Sequence, residues 1–193
     1  GYFTATNTIH PTDFKAVGSS GIEFDPYPNY HAACGSSVPN ILNATTMFQG
    51  AVIEGNLCVE VPKDETDLLI YYTSGYNSPK LWLQASQSDS IEALRDVSAK
   101  VVTDSSVDIG TQRTNPISAG RTLLTDDGLG ITVMSVDADA WPEVKAENMY
   151  NDPPKDGYRF LMAEVRIQVD VGYFTDAIDV LASDFEVVGS SAV

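Results

Sequence analysis

Two histidines, two cysteines and a scatter of serines and carboxylates are the residues of this chain with chemistry to offer. His10 and His31 sit in Pro-rich stretches, and neither is matched in sequence to the serine and carboxylate that a nucleophilic triad requires. Val17-Gly18-Ser19-Ser20-Gly21 falls one residue short of a Gly-x-Ser-x-Gly elbow and reads as a turn at a strand end, not a strand-to-helix turn. Cys34 and Cys58 lack the Cys-x-x-Cys or Cys/His clustering that zinc needs. Asp137, Asp139, Asn151, Asp152 and Asp156 are hard oxygen donors suited to calcium, but their spacing is not that of an EF-hand. Solvated turn carboxylates are the competing reading, so no metal is assigned. The chain is expected not to be an enzyme and to carry no cofactor.

Other residues point to surface roles. Asn43-Ala44-Thr45 is an acceptor triplet for N-linked glycosylation. Trp82 and Trp141 are read as core or rim packing, with sugar stacking as the alternative. Tyr27, Tyr30 and His31 form an aromatic loop next to Cys34, either packed there or offered to a partner. Two lone cysteines in an acidic chain suggest one disulfide and an oxidising compartment; two separate buried thiols are the alternative. By loop entropy such a bridge contributes roughly 3–4 kcal/mol.

Composition narrows the partners. The 193 residues carry 27 acidic and 11 basic side chains, a net charge of −16. That surface repels phosphate backbones and anionic lipid, so neither nucleic acid nor a membrane surface is expected as a partner. No apolar run approaches the ~20 residues that span a bilayer, so no membrane insertion is expected. A secreted or cell-surface location is. Gly1 in place of Met reads as a processed end or a cut in a longer chain.

The elements that must position these residues are mostly strands. Short runs rich in Val, Ile, Tyr and Phe are broken by Gly, Pro, Asn and Asp. GITVMSV (130–136) alternates, with Ile131, Val133 and Ser135 on one face. YRFLMAEVRIQVDV (158–171) alternates for longer, with Leu161, Ala163, Val165, Ile167 and Val169 inward. Strands are also expected at 51–61, 67–73 and 80–85. DSIEALRDVSAKVV (89–102) has helical spacing at Ile91, Leu94, Val97 and Val101, with an irregular connection as its alternative.

One word is written twice. GYFTATNTIHPTDFKAVGSSGI begins at Gly1 and GYFTDAIDVLASDFEVVGSSAV at Gly172, and the two align without a gap. They share GYFT, Asp-Phe (Asp13-Phe14 and Asp184-Phe185) and Val-Gly-Ser-Ser (from Val17 and from Val188).

The residues from 111 to 169 resemble the first half of a telokin-like, immunoglobulin-type β-sandwich domain of unknown function, found in secreted proteins and lipoproteins of Gram-positive and related bacteria. Asn115-Pro116, Asp139-Ala140-Trp141, and Asn148, Asn151, Pro153, Gly157 and Phe160 carry that resemblance. The start of the chain is similar to the second half of the same domain, through TDFKAVGSSG (12–21), Cys34, Phe48 and Gly50, Gly55-Asn56-Leu57-Cys58 and LWLQ (81–84). The resemblance places both cysteines at the family's cysteine positions and implies their pairing.

Tail therefore precedes head. Residues 1–86 are read as the later part of one sandwich repeat, 87–120 as a linker, and 121–193 as the earlier part of the next. Half a sandwich exposes unpaired edges and a bare apolar face. The halves must complete each other within a chain, complete each other between chains, or belong to a longer repeat array. A head-to-tail contact that does not close propagates, and strand complementation is its physical mode. The expected function is a structural repeat subunit whose partners are copies of itself, joined head to tail. The alternative is a surface module binding a small ligand, sugar or protein. The residues expected to exchange are Tyr2, Phe3, Phe14, Val17, Phe174, Phe185 and Val187.

Overall fold

The fold comes from a computed structural model, which describes residues 7–27, 33–35, 37–73, 79–85, 109–125 and 128–169. It is an all-β antiparallel sandwich. In chain order the strands are β1 (Asn7–Ile9), β2 (Phe14–Val17), β3 (Glu23–Phe24), β4 (Thr45–Met47), β5 (Val52–Pro62), β6 (Leu69–Tyr72), β7 (Leu81–Gln84), β8 (Leu123–Leu124), β9 (Leu129–Asp137) and β10 (Tyr158–Val169). One short helix, α1 (Trp141–Glu147), lies between β9 and β10.

The strands form two four-stranded sheets, ordered β3-β2-β6-β7 and β5-β10-β9-β8, and a two-stranded ribbon of β1 with β4. The first sheet comes wholly from residues before 86. The second joins β5 from that half to β8, β9 and β10 from the other. Its seam is the longest ladder described, running antiparallel from Tyr158↔Pro62 to Gln168↔Val52. Strands from before residue 86 and after residue 121 thus share one sheet within this chain.

Alternation explains the seam. Leu161, Ala163, Val165, Ile167 and Val169 of β10 are buried, while Met162, Glu164, Arg166 and Gln168 between them are half-buried on the other face. They meet Leu57, Val59 and Val61 of β5, Ile131 and Val133 of β9, and, from the facing sheet, Phe14, Ile70, Tyr72 and Leu83, in one continuous core. β9 departs from strict alternation. The register steps from Glu164↔Ser135 to Val165↔Val133, and this β-bulge buries Val136 in place of Ser135, which was expected to share a face with Ile131 and Val133. Ser135 instead donates to Glu164 Oε2 at 3.2 Å.

One edge of each four-stranded sheet, β5 and β7, is flanked by further chain. Asn56 of β5 donates its N–H to Asn40 O at 2.8 Å and accepts from Leu42 N–H at 2.9 Å. Gly55 permits this contact, because a Cβ there would stand 2.7 Å from Leu42 Cα. On the other sheet, Ile117 N–H donates to Trp82 O at 2.9 Å, and Gln84 N–H donates to Ile117 O at 2.8 Å. Residues 109–120, part of the stretch read as a linker, thus lie along β7, and Ile117 is buried in the core. The helix expected at 89–102 lies outside the described residues. Among those described, no helix is long and apolar enough to cross a membrane.

Cys34 and Cys58 are joined, with Cα atoms 5.9 Å apart. The bridge ties the loop before β4 to β5 inside a second small core with Val38, Ala140, Val144 and Phe160. Asn151 links the same region, donating to Ser37 O at 2.7 Å and to Val144 O at 2.9 Å. Because the bridged cysteines are 24 residues apart, reduction should lower stability by roughly 3 kcal/mol and Tm by about 6–12 °C. Calorimetry with and without reductant checks this.

Candidate functional site

The repeated word has a seat. In its first copy β1 pairs with β4, and β2 lies between β3 and β6, pairing with both. A 3-10 turn at Pro11–Asp13 joins β1 to β2, and Asp13 Oδ2 accepts the His10 N–H at 2.8 Å to hold it. Burial raises the Asp13 carboxyl above its ordinary 3.8, against the pull of that His10 N–H. Phe14 is 1 % exposed and packs on Tyr72 with ring centroids 5.3 Å apart; Val17 is also buried, outside the core cluster that holds Phe14.

Past β2 the chain meets a carboxylate. Glu65, in the turn between β5 and β6, is only 5 % exposed. It accepts Ser20 N–H at 2.7 Å and Ser19 Oγ–H at 3.0 Å. Ser19 N–H donates to Thr66 O at 2.8 Å, and Thr66 N–H donates to Ser19 Oγ at 3.3 Å. Arg113 donates to Gly18 O, and Arg159 donates to Glu65 O at 3.0 Å. Gly18 has no room for a side chain: a Cβ would stand 2.3 Å from Glu65 Oε1 and 2.4 Å from its Cγ. The Ser20 N–H, with help from the serine hydroxyls and Arg113, holds the Glu65 carboxyl below its ordinary 4.5.

Among the described residues, those common to both copies each have a duty here: the turn cap Asp13, the buried Phe14 and Val17, Gly18 that leaves room for Glu65, and Ser19 and Ser20 that donate to it. The second copy keeps the inward positions apolar, with Val180, Phe185 and Val187 standing for Ile9, Phe14 and Ala16. Outward positions vary freely: Thr8, His10 and Lys15 correspond to Asp179, Leu181 and Glu186. Phe14 and Val17 are the two exchange candidates the structure describes. Tyr2, Phe3, Phe174, Phe185 and Val187 lie outside the described residues.

The other candidates are not brought together. Among the described residues no group of three or more His, Cys, Asp and Glu side chains is placed to hold a metal. Asp137 Oδ1 accepts the Asp139 N–H at 2.9 Å, while Asp139, Asp152 and Asp156 are exposed. His10 is exposed; His31 and Tyr30 lie outside the described residues, and Tyr27 is half-buried. Asn43 is exposed, but its amide donates to Ile41 O and Thr45 Oγ donates to Asn43 O, both at 3.1 Å. Trp82 packs on Tyr71 at 5.2 Å and Trp141 edge-on to Phe160 at 6.1 Å, both half-buried. An open cleft of about 720 Å³ lies where the two sheets part, with Asp67, Leu68, Arg113, Val136 and Arg159 among its walls.

Sequence reasoning missed Glu65 and Arg113. The available signal was the identity of Gly-Ser-Ser in both copies, which demands a partner for its hydroxyls. Compared with known proteins, the chain matches no family model, no curated protein and no solved structure.

Because the Glu65 carboxyl titrates lower folded than unfolded, its stabilisation is complete above the unfolded value and is lost as pH falls through the folded one. Asp13, whose folded value is raised, works in the opposite direction. Glu65→Gln isolates the first effect. Urea denaturation should find the variant less stable than wild type at pH 7, with the two curves converging as pH falls below the ordinary 4.5 and through the lower folded value. Gly18→Val, which drives Glu65 from its serines, should cost about 1–3 kcal/mol.

Proposed function

We propose that this chain is a non-enzymatic, extracellular structural subunit, a repeat of the telokin-like immunoglobulin type, that joins copies of itself head to tail. Residues 172–191 of one copy take the place of β1 and β2 in the next. The single observation that supports this reading is the division of labour in the repeated word. Every shared residue that the first copy seats in the sandwich has a structural duty, and the second copy carries the same set in the same order. Main-chain ladders to β3 and β6 supply affinity in such a mode, and the buried Phe and Val supply register. The disulfide fits an oxidising, secreted or cell-surface setting.

The second reading, a surface binding module, is favoured by the open cleft with its two guanidinium groups, in a chain with only 11 basic residues. A ligand seated there would raise Tm without changing molecular mass.

Phe185→Asp separates the two and changes none of the described residues. Size-exclusion chromatography with light scattering, and electron microscopy, should show wild-type chains forming longer species as concentration rises, and the variant remaining monomeric. A wild-type monomer independent of concentration contradicts the proposal.

A further inference from the structure

We infer that the Glu65–Thr66 turn, together with Arg113, is a recognition site for a β-strand ending in Val-Gly-Ser-Ser, and that residues 184–191 of a second copy are its other ligand. This rests on the assembly reading and names the residues that would make assembly selective.

The site is built for each position of the tripeptide. At its first residue only glycine fits, because Glu65 occupies the space of a Cβ; Arg113 reads the carbonyl of the same residue. At the second, a hydroxyl is needed that both donates, to Glu65 Oε1, and accepts, from Thr66 N–H. Serine does both; alanine does neither. At the third, the main-chain N–H meets the same carboxylate oxygen at 2.7 Å. Arg159 braces the turn from behind, through Glu65 O. Charge assistance makes these bonds stronger than neutral ones.

The strand before the tripeptide sets which Gly-Ser-Ser is read. A third occurrence, Gly35-Ser36-Ser37, follows Cys34 and lacks the Asp-Phe-x-x-Val lead that both copies share. Two differences tune the second copy. Beside Ala16 lies a narrow void of about 10 Å³, bounded also by Leu57, Val59, Leu161 and Ala163, room for about one of the two methyl groups that Val187 would add. Against that, Lys15 pairs with Asp25 at 2.6 Å, and Glu186 in its place sets like charges together. The resident copy is thereby favoured in the closed chain, and the incoming copy is not excluded.

The test uses the full chain and a fluorescent synthetic peptide of residues 182–193, incubated just below the melting temperature so that the resident segment opens. Anisotropy should report uptake of the native peptide. Gly189→Val in the peptide should weaken uptake about tenfold or more. Glu186→Lys, which restores the pair with Asp25, should strengthen it about two- to fivefold. On a Glu65→Ala chain the native and Gly189→Val peptides should bind alike, since the clash is gone; the peptide variants on wild-type chain keep the test valid if that protein fails to fold. Equal uptake of native and Gly189→Val peptides by the wild-type chain, or uptake of neither, overturns the inference. Chains that polymerise while taking both peptides equally keep the assembly and lose the Glu65 site. Chains that discriminate between peptides but never polymerise keep the site and lose the assembly.

Discussion

The antiparallel seam between β5 and β10 holds the sandwich together. Among the described residues it is the one extended ladder that crosses from residues before 86 to residues after 121, and the described core draws on both sides of it. The half before 86 would keep one sheet with its inner face bare. The other would keep β8, β9 and β10 with nothing opposite. Since Leu57, Val59 and Val61 alternate inward against Leu161, Ala163 and Val165, a slip of one residue would turn the buried set outward. The seam therefore fixes its own register, and Gly55, Asn56 and the Cys34–Cys58 bridge secure its outer edge.

Closure within the chain changes what exchange must mean. In the described sandwich residues 7–20 already occupy the place between β3, β4 and β6. The proposed assembly would replace one segment by its near-copy, which offers equivalent residues for the inward apolar positions and the Glu65 contacts but not for the Lys15–Asp25 pair. Such a replacement would be slow to start, because β2, a central strand, must leave first.

Local pattern made much of the fold legible. β10 announces itself by alternation, β5 by an apolar run bounded by turn residues, and the cysteines by their isolation. The short helix α1 did not: its seven residues include Pro142 and bury only Val144, too little periodicity to register. The bulge in β9 was equally hidden, because one extra residue shifts the face without altering composition. Glu65 was the largest omission. A glutamate beside Pro62-Lys63-Asp64 looks like a solvated turn charge, and only a fold that returns Ser19 from 46 residues away gives it ligands. The exchange residues were half legible. The repeat singled out Phe14 and Val17, but pairing across the chain was needed to show what Gly18, Ser19 and Ser20 do.

Occupancy of the place between β3 and β6 is the quantity on which the account turns, and hydrogen–deuterium exchange read by mass spectrometry measures it directly. In the assembled fraction residues 184–191 should gain amide protection while residues 13–20 lose it. If residues 13–20 remain protected and 184–191 unprotected at every concentration, strand replacement is contradicted.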